Sequence, residues 1–225
     1  VNGSKGIGTG FSTDIMCHNP TDVISYIRGS LTNGDKPSLE PYYEGFKGTI
    51  AKISSSKWLI KGCYNIINNK EVRVTELPIG LWTDDYKKYI EELIDGGDAK
   101  KKGKKDICIK DYTDMSTDVN VDITLVFHPG KIAELQGKSL ENDCNALEKL
   151  LKLYTTRTTT NMHMFDETEK LRKYETASEI ADHYIGVRMS KYVERKQYQI
   201  KNLEKEAKLI SNKARFISEI LKDTI

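Results

Sequence analysis

Residues 48–77 read GTIAKISSSKWLIKGCYNIINNKEVRVTEL. The stretch is rich in β-branched residues and alternates in polarity. Ser54-Ser55-Ser56 and Asn68-Asn69 supply turn signals. It predicts an antiparallel meander that closes at Leu77-Pro78. Residues 82–94, WTDDYKKYIEELI, switch to helical periodicity with Thr83 as N-cap, and Gly96-Gly97 end that helix. DITLVF, residues 122–127, predicts a further strand ending at His128-Pro129-Gly130. SLENDCNALEKLLKL, residues 139–153, predicts a helix capped by Ser139 with Glu141 in its first turn, and the polar run TTRTTTN, residues 155–161, is not helical. Hairpin-forming strands mixed with helices place the chain in the α+β class, an antiparallel sheet with flanking helices.

Outward from that centre, residues 1–20, VNGSKGIGTGFSTDIMCHNP, read as a glycine-rich loop. A helix follows, with Asn19 as N-cap, Pro20 and Asp22 in the first turn, and Val23, Ile24, Ile27 and Leu31 as its apolar face; Asn33-Gly34 stop it. At the other end, residues 176–222 contain no proline and a single glycine, Gly186. Met189, Val193, Ile200, Leu203, Ala207, Ile210, Ala214, Ile217 and Leu221 recur in steps of four and three, with Lys196 where an apolar residue is due. This heptad seam predicts a long coiled-coil helix whose partner is a returning helix or another chain. A long core helix is the plainer alternative.

The chain has 225 residues, 38% hydrophobic and 30% charged, and a formal net charge of +2. It is no polycation, so any nucleic-acid surface must be local. No apolar run approaches the length of a bilayer span, and no secretory signal opens the sequence. Cys17, Cys63, Cys108 and Cys144 form no CxxC pair and no zinc spacing, so reduced thiols are expected. His18, His128, His163 and His183 are scattered and read as structural, with no Ser–His–Asp or metal constellation. The first residue is Val rather than Met and leads straight into a motif, so the chain reads as part of a longer protein.

That opening motif fails two familiar tests. Thr9 stands where a phosphate-binding P-loop needs Lys, and Gly6-Ile7-Gly8-Thr9-Gly10 lacks the dinucleotide spacing. Gly3, Gly6, Gly8 and Gly10 would let backbone approach another surface closely, and Lys5 adds a positive charge. Ile7 is a bulky apolar residue set between glycines. Such a residue either tucks into the core, the reading composition favours, or acts as a wedge between base pairs. The densest positive run, KKKGKKD at residues 100–106, reads as a solvated charge run rather than a binding site.

Four strings, VNGSKGIGTGFSTDI followed by HNP, YYEGFKGTI, VTELPIGLWTDDYKKYI and FDETEKLRKYETASEI, occur in order and span nearly the whole chain. Together they resemble type IIA DNA topoisomerases of the eukaryotic and viral kind. The resemblance implies the end of a winged-helix DNA-cleavage domain over residues 1–35, a tower domain over 36–175, and the first coiled-coil helix over 176–225. It assigns the DNA-bending wedge to Ile7 and makes the neighbouring Lys5, Gly6 and Gly8 DNA-binding residues. It makes Lys152, Thr155, Thr156, Arg157, Thr158 and Asn161 contacts to the gate DNA, with Lys47 a weaker backbone contact. The residue types fit, since Lys and Arg neutralise phosphates and Thr and Asn hydrogen-bond to them. On its own, that stretch reads as a β-strand with an exposed threonine face. In VTELPIGLW, Pro78 and Trp82 are expected to fix the exit from sheet to helix.

The same resemblance places the nucleophilic tyrosine, the Mg²⁺-binding acidic residues and the ATPase domain before Val1, so no cofactor is expected on this stretch. The expected parent is an ATP-dependent, homodimeric type II topoisomerase acting on double-stranded DNA, without membrane association. It would work in the nucleus, or in a host cell or viral factory if viral. A non-catalytic DNA-bending scaffold and a plain coiled-coil protein are the rival readings.

Overall fold

The computed structural model describes residues 3–95 and 108–222. The chain divides into two compact units that are each discontinuous in sequence, residues 1–20 with 40–162 and residues 21–39 with 163–225.

The first unit begins with a two-stranded hairpin, β1 (Ser4–Ile7) and β2 (Ser12–Ile15). A three-stranded antiparallel sheet follows, in which β4 (Lys57–Lys61) lies between β3 (Thr49–Ser54) and β9 (Tyr154–Thr158). A four-stranded antiparallel sheet has the order β5 (Cys63–Asn68), β6 (Glu71–Glu76), β8 (Ile123–Phe127), β7 (Ile109–Asp114). Alternation sends Val72 and Val74 of β6 and Ile123, Leu125 and Phe127 of β8 to one side. There they meet Tyr86 and Ile90 of α2 (Thr83–Ile94), Ile132 of α3 (Lys131–Gln136) and Leu147 of α4 (Ala146–Leu150), the main core of the unit.

The single meander expected over residues 48–77 is two hairpins in two different sheets, and the break falls at Gly62. The Gly62 N–H donates to the Leu153 carbonyl at 2.8 Å. A Cβ on Gly62 would lie 2.2 Å from the Glu76 carbonyl oxygen. Backbone from three segments meets there, and no side chain fits.

Three local expectations need correction. Trp82, not Thr83, occupies the N-cap of α2, without a side-chain bond. Trp82 is also 76% exposed, so it does not pin the exit from the sheet; buried Leu77 and Pro78 do. Asp84 and Asp85 in the first turn favour the positive end of the α2 dipole instead. Finally, the helix expected from Ser139 is only α4, because Asn142 (φ 58°) and Asp143 (φ 53°) are left-handed and break it. Asn145 caps α4 through a capping box with Glu148, while Ser139 forms an isolated bridge with Asn145.

The second unit holds α1 (Pro20–Thr32), the hairpin β10 (His163–Phe165) with β11 (Leu171–Lys173), and the 45-residue helix α5 (Ala177–Leu221). Helix α1 stops where expected, with Asn33 left-handed at φ 53° and the Gly34 N–H bonded to the Gly29 carbonyl at 3.0 Å. Its buried face differs from the expected one. Tyr26 and Gly29 are buried, while Ile24 and Leu31 are exposed. The cause is Asp182 of α5, whose carboxylate accepts from Tyr26 Oη at 2.9 Å, Lys36 Nζ at 3.2 Å and Ser30 Oγ at 3.4 Å. Helix α5 starts as read: the Thr176 hydroxyl accepts from the Glu179 N–H at 3.1 Å. Just before it, buried Tyr174 shares a 2.7 Å hydrogen bond with His183 Nδ1, and His183 Nε2 lies 2.9 Å from Glu167. Every residue of the predicted seam, Met189 to Leu221, is exposed on this chain. No described residue of α5 is buried on this chain.

Two outcomes follow. Gly62→Ala must displace backbone, and its stability loss should match or exceed the roughly 1–3 kcal/mol of an overpacked site, read as a fall in denaturation midpoint. The Asp182 carboxyl is held below the usual carboxylate range, first by the Tyr26 hydrogen bond and then by Lys36. A lowered carboxyl pKa gives stability that is present at neutral pH and lost as pH falls through and below about 4. Amide protection in α1, corrected for intrinsic exchange, should fall in that window, and Asp182→Asn should remove the pH dependence.

Candidate functional site

The loop expected over residues 1–20 is, from Ser4 onward, a hairpin. Lys5 faces Asp14, Gly6 faces Thr13 and Ile7 faces Ser12. The turn is KGI–GTG–FSTDI: the Gly8 N–H donates to the Phe11 carbonyl at 2.8 Å, and Gly10 takes φ +84°, which an L side chain resists. A Cβ on Gly8 would lie 2.7 Å from the Phe11 ring, which would have to shift to admit it. Ile7 ends β1 at this tip and is 92% exposed. Ile7 is therefore not tucked into the core. Strand alternation puts Lys5 and Ile7 on the same hairpin face as Ser12 and Asp14.

That face is held by β9 and the residues just after it. Arg157 Nη1 lies 3.2 Å and 3.4 Å from the two carboxylate oxygens of Asp14. The Asp14 N–H donates to the Asn161 carbonyl at 2.8 Å, and Asn161 Nδ2 donates to Ser12 Oγ at 2.8 Å. Two other motif segments close around Arg157. A Cβ on Gly80, in VTELPIGLW, would lie 3.1 Å from Arg157 Nη2. Tyr43, in YYEGFKGTI, has its phenol pKa raised by burial, against the opposing pull of nearby Arg157. Arg157 pairs with Trp58 across the sheet, and Trp58 pairs in turn with Lys52, whose ammonium sits 5.7 Å from the Trp58 ring centroid.

Of the residues singled out in sequence, Lys5, Gly6, Ile7 and Gly8 lie on the hairpin, and Arg157 and Asn161 hold it. Thr155, Thr156 and Thr158 line β9, with Thr156 and Thr158 exposed. The strand with a threonine face is what the structure contains, whatever else it does. Lys47 and Lys152 are engaged by other segments. Lys47 Nζ donates to Asn120 Oδ1 at 2.7 Å and its N–H to Glu76. Lys152, left-handed at φ 49°, places its ammonium 3.5 Å from the Tyr89 ring centroid. The charge run at 100–106 lies outside the described residues.

Ser12, Asp14, Tyr43, Lys52 and Gly80 belong to this site and do not stand out in the sequence. One signal exists for the first two: GTG between KGI and FSTDI is a hairpin turn, and its register puts Ser12 and Asp14 beside Ile7. Among the described residues no three His, Cys, Asp or Glu side chains converge to hold a metal ion, and no helix is long and apolar enough to cross a membrane.

Comparison with known proteins gives these features a family. Residues 1–225 match the DNA gyrase/topoisomerase IV family, in its A-type subunit. The chain belongs to that family. It is 36% identical over its whole length to DNA topoisomerase 2 of Plasmodium falciparum, covering 15% of that protein. It is 31% identical to DNA topoisomerase 2 of Acanthamoeba polyphaga mimivirus, again over all of this chain and 21% of the relative. The crystal structure of the Plasmodium falciparum topoisomerase II DNA-binding, cleavage and re-ligation domain superposes with a TM-score of 0.85 at 36% identity, covering 100% of this chain and 29% of that one. The chain thus spans about a fifth or less of these two curated relatives, and its α+β fold is that of the corresponding part of the solved domain.

Proposed function

We propose that this chain is the part of a type II DNA topoisomerase that grips and bends the duplex to be cut. The observation that carries the reading is Ile7, 92% exposed at the tip of a hairpin that a second segment holds in place. An aliphatic side chain exposed at a hairpin tip is available to an apolar partner surface. Stacked bases are such a surface, and Ile brings no polar group that would be buried unpaired.

Magnitudes show that the wedge does not act alone. Burying one Ile side chain is worth roughly 1.5–3 kcal/mol. Strongly bending a 20–30 bp site costs of order 1–6 kcal/mol, and unstacking a step costs a few more. Backbone contacts must offset the remainder. Exposed Thr156 and Thr158 of β9 can donate hydroxyls to phosphate oxygens, and exposed Lys5 and Lys52 offer cations. None of these reads bases, which suits an enzyme that acts on many sequences. Lys47 and Lys152 would have to leave Asn120 and Tyr89 to take part.

The exposed seam of α5 supports a coiled coil with a returning helix or a second copy, as a homodimeric double-strand cutter requires. In the parent enzyme the tyrosine that attacks DNA, the Mg²⁺ ligands and the ATPase would belong to other segments, and this chain supplies bending and scaffold rather than bond breaking.

In the full-length protein, Ile7→Ala should reduce gate-duplex bending, read by fluorescence transfer between labelled duplex ends, and reduce cleavage with it. ATP binding should be unchanged. Bending equal to that of the unmodified protein would remove Ile7 from the mechanism.

A further inference from the structure

The family resemblance implies a phosphate contact for Arg157, and the structure points elsewhere. The Arg157 guanidinium already faces a carboxylate at 3.2 Å and 3.4 Å, with only 27% of the Arg157 side chain and 34% of the Asp14 side chain exposed. The pair spans 143 residues of sequence. It sits beside Gly80, where a Cβ would touch Nη2, and beside half-buried Tyr43. A phosphate approaching Arg157 would meet the Asp14 carboxylate at the same place, and the two negative charges would repel. The pair is close to neutral toward DNA, so it releases little counterion charge on binding.

What the pair does do is fix β2. Asp14 is tied twice, by its carboxylate to Arg157 and by its N–H to the Asn161 carbonyl, while Asn161 Nδ2 holds Ser12, the partner of Ile7 across the hairpin. We propose that Asp14, Arg157 and Asn161 are positioning residues, a latch from β9 to the hairpin that sets the pose from which Ile7 enters DNA. The proposal rests on the wedge reading of Ile7 and deepens it: the threonines of β9 meet the duplex, while Arg157 and Asn161 turn inward to aim the tip.

The test uses the full-length protein, a labelled gate duplex and four variants: Asp14→Asn, Arg157→Gln, the exchange Asp14→Arg with Arg157→Asp, and Ile7→Ala. A small misplacement of an inserted group can cost up to about a hundredfold, so each single latch variant should lower bending-coupled cleavage by about tenfold. The salt slope of binding should stay within experimental error, and the exchanged pair should recover most of the loss. A phosphate clamp predicts the opposite signs. Asp14→Asn would then strengthen binding by removing a negative charge near DNA, and Arg157→Gln would lower the slope by about one phosphate contact.

Hydrogen exchange of the DNA-free protein gives a readout independent of Ile7. Asp14→Asn and Arg157→Gln should both raise exchange of the amides of residues 4–15, and unchanged exchange overturns the latch even if the exchanged pair fails to fold. Ile7→Ala separates the two ideas. If it leaves bending unchanged, the wedge reading fails while exchange still decides the latch. If it lowers bending and Asp14→Asn does not, the latch alone is overturned.

Discussion

A two-stranded hairpin by itself is marginal in water. The strands Ser4–Ile7 and Ser12–Ile15 share a four-residue ladder and a glycine turn, and the tip they carry is an aliphatic side chain facing solvent. What makes the tip usable is the set of bonds from Arg157 and Asn161 to Asp14 and Ser12. They tie the hairpin to β9 and to the residues just after it. An entering wedge must arrive in register with a base step, and a freely swinging one would lose in ordering entropy much of what insertion gains. The sheet that carries β9 is in turn locked by buried Trp58, Leu59 and Ile60 of β4, so the hairpin is referenced to a core and not to another loop.

The same economy shows in how the motifs converge. YYEGFKGTI brings Tyr43, VTELPIGLW brings Gly80 and TTRTTTN brings Arg157 to the flank of the opening glycine motif. Taken singly, each of these strings reads as a turn or a strand. Their common address explains why a left-handed glycine lies in a sheet-to-helix connection and why a half-buried arginine interrupts a row of threonines.

Much of the fold was legible because it rests on local pattern. The heptad run gave α5 almost to its ends, DITLVF gave β8, and Asn33-Gly34 gave the end of α1. The losses came from backbone geometry and distant partners. Glycines hid the β1–β2 hairpin, since a strand of Gly and Lys lacks the usual β-branched signal. Gly62 looked like one residue within a meander, but the approach of the Leu153 and Glu76 backbones makes it the boundary between sheets. Asn142 and Asp143 looked like helix N-terminal residues and are left-handed instead. At the site, the exposure of Ile7 is the opposite of what composition favours, and the partner of Arg157 was not legible, because no local rule links residues so far apart. The inward turn of α1 toward Tyr26 was hidden in the same way, by its dependence on Asp182.

The central claim is that Ile7 separates stacked bases, and base stacking itself reports on it most directly. A gate duplex carrying 2-aminopurine at successive positions near the bend should brighten at one step when the full-length protein binds, and stay dark at that step with Ile7→Gly. Equal fluorescence for both proteins at every position would contradict the account.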